Sequence, residues 1–282
     1  MYKSGSLTIL GSGASPGVPY LGCTCPVCAS TDPLNRRTRS SALVEIDGVR
    51  ILIDTPPDLR AQCLAGNVLG LDAVLFTHTH ADHLYGLDDL RAFKFIMGTP
   101  VDCYGPPRVL AYIRQAYPYL FDGVAEVGGG KPHLLFHPVE GPFCIRGVPV
   151  EPLSLPHTPT TPTTGYLLGG AVAYCLDLNA MPASVEQRIA GVDVLVLDMV
   201  QKAPGHPTHL DMARARDLAR RIGAGLTVYS HLGHDFSWRE DQQDLSDNEI
   251  LAFDGLEVRL APGTPPAVLN HPLRRPSVVR AG

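Results

Sequence analysis

The segment FTHTHADHLYGL, residues 76–87, places four side chains of the metal-binding type within six positions: His78, His80, Asp82 and His83. It follows the apolar run LDAVL, residues 71–75, which is typical of a buried strand. Alternate residues of an extended chain point to the same side, so positions 78, 80 and 82 share a face, and His83 begins a predicted helix. Imidazole and carboxylate are preferred ligands of zinc, iron, manganese and nickel at hydrolytic and redox sites. A solvated polar loop is the alternative, and it suits one histidine better than four such residues.

Four ligands on one segment would leave one metal under-coordinated or two metals half-held, so further ligands are expected elsewhere. Three candidates end other predicted strands: His157 follows VEPLSL, Asp177 ends AVAYCLD, and His231 follows LTVYS. Strand ends are where sites on open α/β sheets collect. Taken singly, Asp177 could instead cap the next turn and His157 could be a loop histidine. Their coincidence favours a shared metal site.

The chain has 282 residues, of which 45% are hydrophobic and 18% are charged, enough for a well-buried core. A hairpin is predicted around Asp47-Gly48, and later strands alternate with helices. This order indicates an α/β fold of sheets covered by helices. No linker is evident, so we predict one domain over residues 1–261 and a Pro-rich C-terminal tail over residues 262–282.

Charge and cysteine content exclude several classes of protein. The formal net charge is −5 and no run of Lys or Arg exceeds two residues, so no nucleic-acid-binding surface is expected. We expect no signal peptide, because MYKSGSLTIL has no long apolar segment, and no membrane-spanning helix, because the apolar stretches are too short. Seven unevenly spaced cysteines favour a reduced, cytoplasmic chain with metal-binding or buried thiols over a disulfide framework.

The motif order H-x-H-x-D-H at residues 78–83, then His157, Asp177 and His231, resembles the metallo-β-lactamase superfamily. The resemblance implies an αββα sandwich, two mixed β-sheets flanked by helices, with two divalent metals at one edge. One metal would be held by His78, His80 and His157. The other would be held by Asp82, His83 and His231. Asp177 would bridge them, and manganese, zinc and iron all suit such ligands.

The segment GCTCPVC, residues 22–28, contains three further candidate ligands, Cys23, Cys25 and Cys28. With GSGASPG before it and RRTRSSALV after it, this segment resembles the PhnP-like cyclic phosphodiesterases, and PqqB proteins share a similar pattern. The resemblance implies one structural zinc held by the three cysteines and a distant histidine, for which His234 is the candidate. A redox C-x-x-C pair is the alternative, but the segment lacks the predicted strand and helix of a thioredoxin-like site.

The same resemblance matches His209, 22 positions before His231, to a substrate-facing histidine. Because His209 begins a predicted amphipathic helix over residues 209–224, it could point into the site; a surface histidine is the alternative, and His206 is a weaker candidate. Asp82 and His209 are therefore the candidate catalytic residues. GSGASPG is predicted to form a tight turn beside the site, since its spacing does not fit a dinucleotide loop.

We expect hydrolysis of a small, cyclic phosphodiester of the phosphoribosyl 1,2-cyclic phosphate or 2′,3′-cyclic nucleotide type, with His209 protonating the leaving oxygen. Specificity would come from residues 13–22, residues 98–147 and Arg36, Arg37 and Arg39, although a solvated loop explains these arginines slightly better. Alternatives are a thioesterase, lactonase or nuclease of the same fold, or a PqqB-like cofactor-biosynthesis protein. The resemblance also suggests a homodimer.

Overall fold

Alternating apolar side chains build two β-sheets in the computed structural model, which describes residues 2–124 and 130–272. The strands within these ranges are β1 (Gly5–Gly11), β2 (Ser41–Ile46), β3 (Val49–Ile53), β4 (Ala73–Leu75), β5 (Val101–Gly105), β6 (Leu134–Pro138), β7 (Phe143–Ile145), β8 (Val148–Leu155), β9 (Thr163–Leu168), β10 (Val172–Cys175), β11 (Val194–Asp198), β12 (Leu226–Ser230), β13 (Glu249–Leu251), β14 (Leu256–Ala261) and β15 (Thr264–Val268). The α-helices are α1 (Pro26–Ala29), α2 (Leu59–Ala65), α3 (Ala81–Leu84), α4 (Arg91–Met97), α5 (Pro107–Ala116), α6 (Ala183–Arg188), α7 (Met212–Ile222) and α8 (Trp238–Asp241).

Both sheets are mixed. The first has the order β15-β14-β1-β2-β3-β4-β5-β6, antiparallel up to β3 and parallel from β3 to β6. The second has the order β13-β12-β11-β10-β9-β8-β7, with β10 to β13 parallel and the other pairs antiparallel. The predicted hairpin joins β2 to β3 through Asp47 and Gly48, whose φ angles of 52° and 82° suit a two-residue turn.

The period of two along each strand divides the apolar side chains between two layers. Ile51 and Ile53 of β3 are fully buried in the core between the sheets, which also contains Val196 of β11. Leu52 points to the opposite face and packs in a second cluster with Leu59 of α2. The order of layers is therefore helix, sheet, sheet, helix, and the predicted αββα sandwich is confirmed.

The predicted amphipathic helix begins later than expected. Asp211 is its N-cap, with a carboxylate that accepts a hydrogen bond from the Arg214 backbone N–H. The helix ends at Ile222 and is capped by Gly223, whose φ is 65°. His209 lies two residues before the N-cap Asp211 and is therefore outside α7. The prediction that His209 begins the helix was wrong. A local carboxylate cap, which apolar periodicity does not reveal, sets the boundary.

Two other segments differ from expectation. The helix predicted after His83 is broken into α3, a 3₁₀ turn at Leu87–Leu90 and α4. The expected tail over residues 262–282 contains a strand, since β15 pairs with β14. Residues 273–282 of the tail lie outside the described residues, as do residues 125–129. No helix in the described part of the chain is both long and apolar enough to cross a membrane.

Candidate metal centre

The candidate ligands converge where strands of both sheets end. Residues 78–83 follow β4 of the first sheet, Asp177 follows β10 and His231 follows β12 of the second. His157 comes from the segment after β8. Because the two sheets face each other, these strand ends lie along one edge of the sandwich. All seven candidate ligands of the predicted dinuclear site belong to clusters whose ligand atoms lie within 4.8 Å of one another.

One cluster contains three imidazoles and a carboxylate. A ring nitrogen of each of His78, His80 and His157 and an oxygen of Asp177 all lie within 4.8 Å of one another. Nδ1 of His80 lies 3.3 Å from Nε2 of His157. Asp177 Oδ1 is 3.9 Å from Nε2 of His78 and 3.8 Å from Nε2 of His157. A single cation could contact all four groups.

The second cluster contains Asp82, His83 and His231, whose ligand atoms also lie within 4.8 Å of one another. Asp82 Oδ2 is 3.4 Å from His83 Nε2 and 3.7 Å from His231 Nε2. Asp177 faces this cluster too, because its Oδ1 lies 3.6 Å from His231 Nε2 and its Oδ2 lies 3.1 Å from His83 Nε2. The carboxylate of Asp177 therefore stands between the two clusters.

Hydrogen bonds behind the histidines fix which nitrogen faces the centre. His157 Nδ1 donates to the Thr208 carbonyl at 2.9 Å, so its Nε2 carries the lone pair when the ring is neutral. Thr77 Oγ1 donates to Asp54 at 2.7 Å and accepts from His78 Nδ1 at 2.9 Å, which leaves His78 Nε2 as the free acceptor. Supporting bonds of this kind orient histidine ligands and raise their basicity.

The charge balance of the centre favours a cation. Burial lowers the pKa values of His78, His80, His157 and His231, so these imidazoles are neutral and available as ligands. Burial also opposes the charge of His83, but Asp177, Asp82 and Asp54 outweigh it and raise the His83 pKa well above its ordinary value. Without a metal, the protonated His83 ring faces the carboxyl groups of Asp177, Asp82 and Asp54.

Unpaired buried atoms provide a direct test of whether the residues fit a metal. Within the described ranges, Nε2 of His78 and of His231 is buried and has no hydrogen-bond partner. Nε2 of His83 and Oδ2 of Asp177 are also buried, and although they lie 3.1 Å apart their geometry does not make a hydrogen bond. Such atoms are costly to bury unless something binds them. All four point into the two clusters, and their nitrogen and oxygen donors suit a divalent cation. The residues therefore fit a pair of metals.

The backbone is strained at three positions of the centre. Asp54, Asp177 and His231 have φ angles of 61°, 57° and 60°, in the left-handed region that side-chain-bearing residues rarely adopt. Each of the three follows directly after a strand or one residue beyond it. Strain of this kind is found where a site requires a particular side-chain direction.

Three supporting residues were missed by the sequence analysis. Asp54 is fully buried after β3 and accepts hydrogen bonds from the Thr77 N–H, the Thr77 hydroxyl and His83 Nδ1, the last at 2.7 Å. Asp198 ends β11, and Ser15 of the GSGASPG turn donates to Asp82 Oδ2 at 2.6 Å. Asp54 and Asp198 each end an apolar strand, the signal that identified Asp177, so the same reasoning could have found them.

His209 lies against the centre although it precedes α7. Its Nδ1 is 2.8 Å from Asp198 Oδ2, and its ring stacks on His231 with centroids 4.8 Å apart. A ring nitrogen of His209 lies within 4.8 Å of the ligand atoms of Asp177 and His231. Burial lowers the pKa of His209, but the carboxylates of Asp198 and, to a lesser degree, Asp177 outweigh burial and raise the pKa to about 9. The weaker candidate, His206, is half-buried, and its Nδ1 accepts the backbone N–H groups of Thr208 and His209.

The cysteines form a second candidate site next to the first. The sulfur atoms of Cys23, Cys25 and Cys28 lie 3.3, 3.7 and 3.5 Å from His234 Nδ1. Zn–S bonds of about 2.3 Å and Zn–N bonds of about 2.0–2.1 Å at tetrahedral angles would separate sulfur from nitrogen by roughly 3.5 Å. Tyr20 stacks on the His234 ring, with centroids 3.9 Å apart. The four groups therefore fit one zinc ion.

Of the three arginines considered for specificity, Arg37 has a structural role. Arg37 is buried and donates to the carbonyl groups of Gly233 and Phe236, which excludes it from contact with a substrate. Arg39 pairs with Asp58, and Arg36 donates to the Ser30 carbonyl. Arg37 instead connects its own segment to the chain between His231 and α8, an interaction across about 200 residues that charge patterning does not indicate.

The chain is similar in sequence and fold to proteins of one known superfamily. Residues 49–232 match the beta-lactamase superfamily domain, so the chain belongs to that superfamily and has its metallo-β-lactamase fold. A crystal structure described as a new diphosphatase from the PhnP family is 34% identical, with a TM-score of 0.84 over 92% of this chain and 98% of that one.

Two curated relatives carry other names. An octanoyltransferase of Porphyromonas gingivalis is 36% identical over 251 residues, which are 88% of this chain. The match spans about half the length of that relative (50%). Coenzyme PQQ synthesis protein B of Methylobacterium nodulans is 32% identical over 80% of this chain and 79% of its own length. The predicted resemblance to the superfamily, with PhnP-like and PqqB-like relatives, is confirmed.

Proposed function

We propose that this protein is a metal-dependent hydrolase of small phosphodiesters, with a cyclic phosphodiester as its substrate. The position of the Asp177 carboxylate between the two ligand clusters carries the proposal, because a shared carboxylate allows two metals to act on one group. The similarity to a PhnP-family diphosphatase over most of both chains supports phosphate as the group that reacts.

The cofactors of the proposed enzyme are two divalent metals. His78, His80 and His157 would hold the first, Asp82, His83 and His231 the second, and Asp177 both. Manganese, zinc and iron are the candidates, since all accept imidazole and carboxylate ligands. When bound, such a pair acts as a Lewis acid on phosphate oxygens and brings the pKa of water toward neutrality.

The residues of this chain provide the remaining chemistry. Burial raises the pKa of the Asp82 carboxyl group, but His83 and, more weakly, the hydrogen bond from Ser15 outweigh burial and bring the pKa below its ordinary range, so the group stays ionised. His209, held by Asp198, can donate its Nε2 proton to the departing alkoxide oxygen, because Nδ1 is already committed to Asp198. Without that proton a sugar alkoxide is a poor leaving group.

The cysteine site has a structural role in the proposal. One zinc held by Cys23, Cys25, Cys28 and His234 would attach residues 20–28 to the segment that carries His231. His234 lies only three residues beyond His231, so this zinc would help to position the second cluster without contacting the substrate.

A phosphoanhydride is the second candidate substrate, because the PhnP-family relative is described as a diphosphatase. The proposed machinery would serve either bond. The need for a proton differs: a phosphate leaving group is already stable as an anion, whereas a sugar alkoxide requires His209. A third candidate is a cofactor-biosynthesis protein whose metal site is not used for hydrolysis. Its only support is the similarity to coenzyme PQQ synthesis protein B.

Metal analysis followed by a substrate panel tests the proposal. We expect one tightly held zinc and two exchangeable divalent metals per chain. The metal-loaded protein should hydrolyse 2′,3′-cyclic nucleotides or phosphoribosyl cyclic phosphates faster than diphosphates, thioesters or lactones. A protein that binds no metal beyond the cysteine site would eliminate the dinuclear hydrolase, and preference for a diphosphate would replace the first substrate with the second.

A further inference from the structure

The loop GHPTH, residues 205–209 between β11 and α7, carries the proposed acid His209 at its end. Within the described part of the chain, these five residues form no hydrogen bond from backbone to backbone. Yet the loop contacts the metal centre twice, because His209 lies against it and the Thr208 carbonyl accepts from Nδ1 of the ligand His157. Side chains must therefore determine the conformation of a loop on which the proposed reaction depends.

The ring of His206 accepts two backbone N–H groups of this loop. Its Nδ1 lies 3.4 Å from the backbone nitrogen of Thr208 and 3.1 Å from that of His209. Side chains of Asn, Asp and Ser commonly accept from the N–H groups two and three residues later, in turns and at helix starts. Pro207 stands between, where it fixes φ and has no N–H to place. His206 thus closes an Asx-like turn that ends at the proposed acid.

The turn requires that Nδ1 of His206 is not protonated. A ring nitrogen that accepts N–H groups must keep its lone pair, so the neutral ring carries its proton on Nε2. Burial and then the charge of His209 lower the pKa of His206, which favours the neutral ring. Neutral imidazole is a poor proton donor. His206 is therefore suited to hold His209, whose ring lies 5.0 Å away between centroids, and not to replace it as the acid.

Side chains at the start of α7 hold the two ends of the same loop. Asp211 Oδ2 accepts the Gly205 N–H at 3.1 Å. Arg214 Nη1 donates to the His206 carbonyl at 3.4 Å and to the His209 carbonyl at 3.2 Å. These contacts fix where the loop begins and ends. The turn at His206 then determines the direction in which the His209 side chain leaves the backbone.

We infer that His206 is a positioning residue for the proposed reaction, and that its Nδ1 orients the backbone of His209 so that the His209 ring can protonate the leaving group. The inference rests on the proposed function, since it takes His209 as the acid. The sequence pattern suggested His206 only as a weaker alternative to His209. In the structure the two histidines have different roles, one as donor and one as its support.

Three substitutions of His206 test whether an acceptor at the Nδ1 position is needed. In His206→Asn the amide oxygen can take the place of Nδ1, because both atoms are bonded to Cγ. In His206→Gln the amide lies one bond further out, and in His206→Ala no acceptor remains. For a diester with an alcohol leaving group, kcat should fall roughly 10²-fold in the Ala and Gln variants, the cost of a misplaced catalytic group. It should stay near wild type in His206→Asn, and KM should change in none of them.

The leaving group shows whether the loss passes through His209. Hydrolysis of bis-p-nitrophenyl phosphate needs no proton, so all three variants should hydrolyse it at close to the wild-type rate when metal is saturating. His133→Ala, at an exposed histidine beside the edge strand β6, is the control and should change neither rate. Equal losses on both substrates in His206→Ala would mean that His206 supports the whole centre, and wild-type kcat in His206→Ala or His206→Gln would mean that the turn is not needed. Either result would overturn the inference.

Spectroscopy separates this inference from the proposed function. Proton–nitrogen NMR spectra of imidazole rings distinguish the two tautomers, and the signals lost in His206→Asn identify His206 among the 11 histidines. In the zinc-loaded protein at neutral pH, the His206 proton should be on Nε2. The amide protons of Thr208 and His209 should exchange with solvent at least about tenfold more slowly in wild type and His206→Asn than in His206→Ala.

The two hypotheses can then fail separately. A proton on Nδ1 of His206, or equal amide exchange in wild type and His206→Ala, would reject the turn even in a protein that hydrolyses diesters efficiently. The expected tautomer and slow exchange in a protein that hydrolyses no diester would support the turn and reject the proposed function.

Discussion

His209 Nδ1 lies 2.8 Å from Asp198 Oδ2, and Asp198 is fully buried at the end of β11. A buried carboxylate that accepts from one ring nitrogen directs the other nitrogen away from itself, here toward Asp177 and His231. The buried carboxylate of Asp198 therefore orients the His209 ring and also favours its protonated form.

Removal of His209 should therefore reveal the need for a proton on the leaving group. In His209→Ala, hydrolysis of a diester with an alcohol leaving group should fall roughly 10²–10⁴-fold. Hydrolysis of bis-p-nitrophenyl phosphate should change little, because p-nitrophenolate departs without a proton. Initial rates on both substrates, with metal content measured alongside, provide the test. Equal losses on the two substrates would contradict the role as an acid, and loss of one metal would identify His209 as a ligand.

Asp198→Asn should shift the pH profile for the alcohol-leaving substrate. Because Asp198 raises the His209 pKa, which reaches about 9, the acid form persists at neutral pH and is lost as pH rises through that pKa. The neutral amide removes this stabilisation of the imidazolium, so the alkaline limb of kcat should move to lower pH. Bound metals would lower both pKa values, and the direction of the shift is the prediction. A limb that stays in place, or moves upward, would argue against His209 as the titrating group.

Loss of Asp54 should lower the metal affinity of the second cluster, because Asp54 supports the ligand His83. Asp54 holds His83 through Nδ1 and also accepts both hydrogen bonds from Thr77. Removal of such a supporting group typically costs roughly 10–100-fold in metal affinity, and we expect Asp54→Ala to show a loss in that range by metal titration. Asp217→Ala, an aspartate of α7 that forms ion pairs on the surface, is the matched control. A folded Asp54→Ala protein with wild-type metal affinity would refute the prediction.

The cysteine site should be separable from the dinuclear centre. Cys25→Ser is expected to lose one zinc per chain and to be less stable by roughly 3 kcal/mol, which corresponds to a fall in Tm of about 6–12 °C. The ligands near Asp177 should still take up metal, because none of them is a cysteine. Cys144→Ser, at an exposed cysteine of β7, should change neither quantity. Unchanged zinc content and Tm in Cys25→Ser would end the structural-zinc proposal.

The sequence was most informative where chemistry and periodicity coincide. Residues 78–83 combine a buried strand with four ligand types, and the structure brings them together with His157, Asp177 and His231. The order of predicted strands and helices indicated sheets covered by helices, and the resemblance to the superfamily added the αββα order of layers. The ligand motif and the order of elements depend on local spacing, so a single sequence carries them.

Other features depend on contacts that spacing does not encode. Arg37 is buried against carbonyl groups nearly 200 residues away, and nothing in RRTRS distinguishes it from its exposed neighbour Arg36. The start of α7 is decided by one hydrogen bond to the Asp211 carboxylate. In the sequence Asp198 is only the last residue of an apolar strand, and its contact with His209 is evident only from the structure.

The left-handed backbone at Asp54, Asp177 and His231 lowers the folding stability of the chain at the positions where the metal centre needs these side chains. Non-glycine residues in this region typically cost about 1–3 kcal/mol each, so glycine at these positions would relax the chain while removing a ligand or its support. A screen that selects only for thermal stability of the metal-free protein would therefore favour the inactivation of this centre. Directed evolution of a more robust variant would have to be conducted with metal present, so that the gain from metal binding is counted along with the strain.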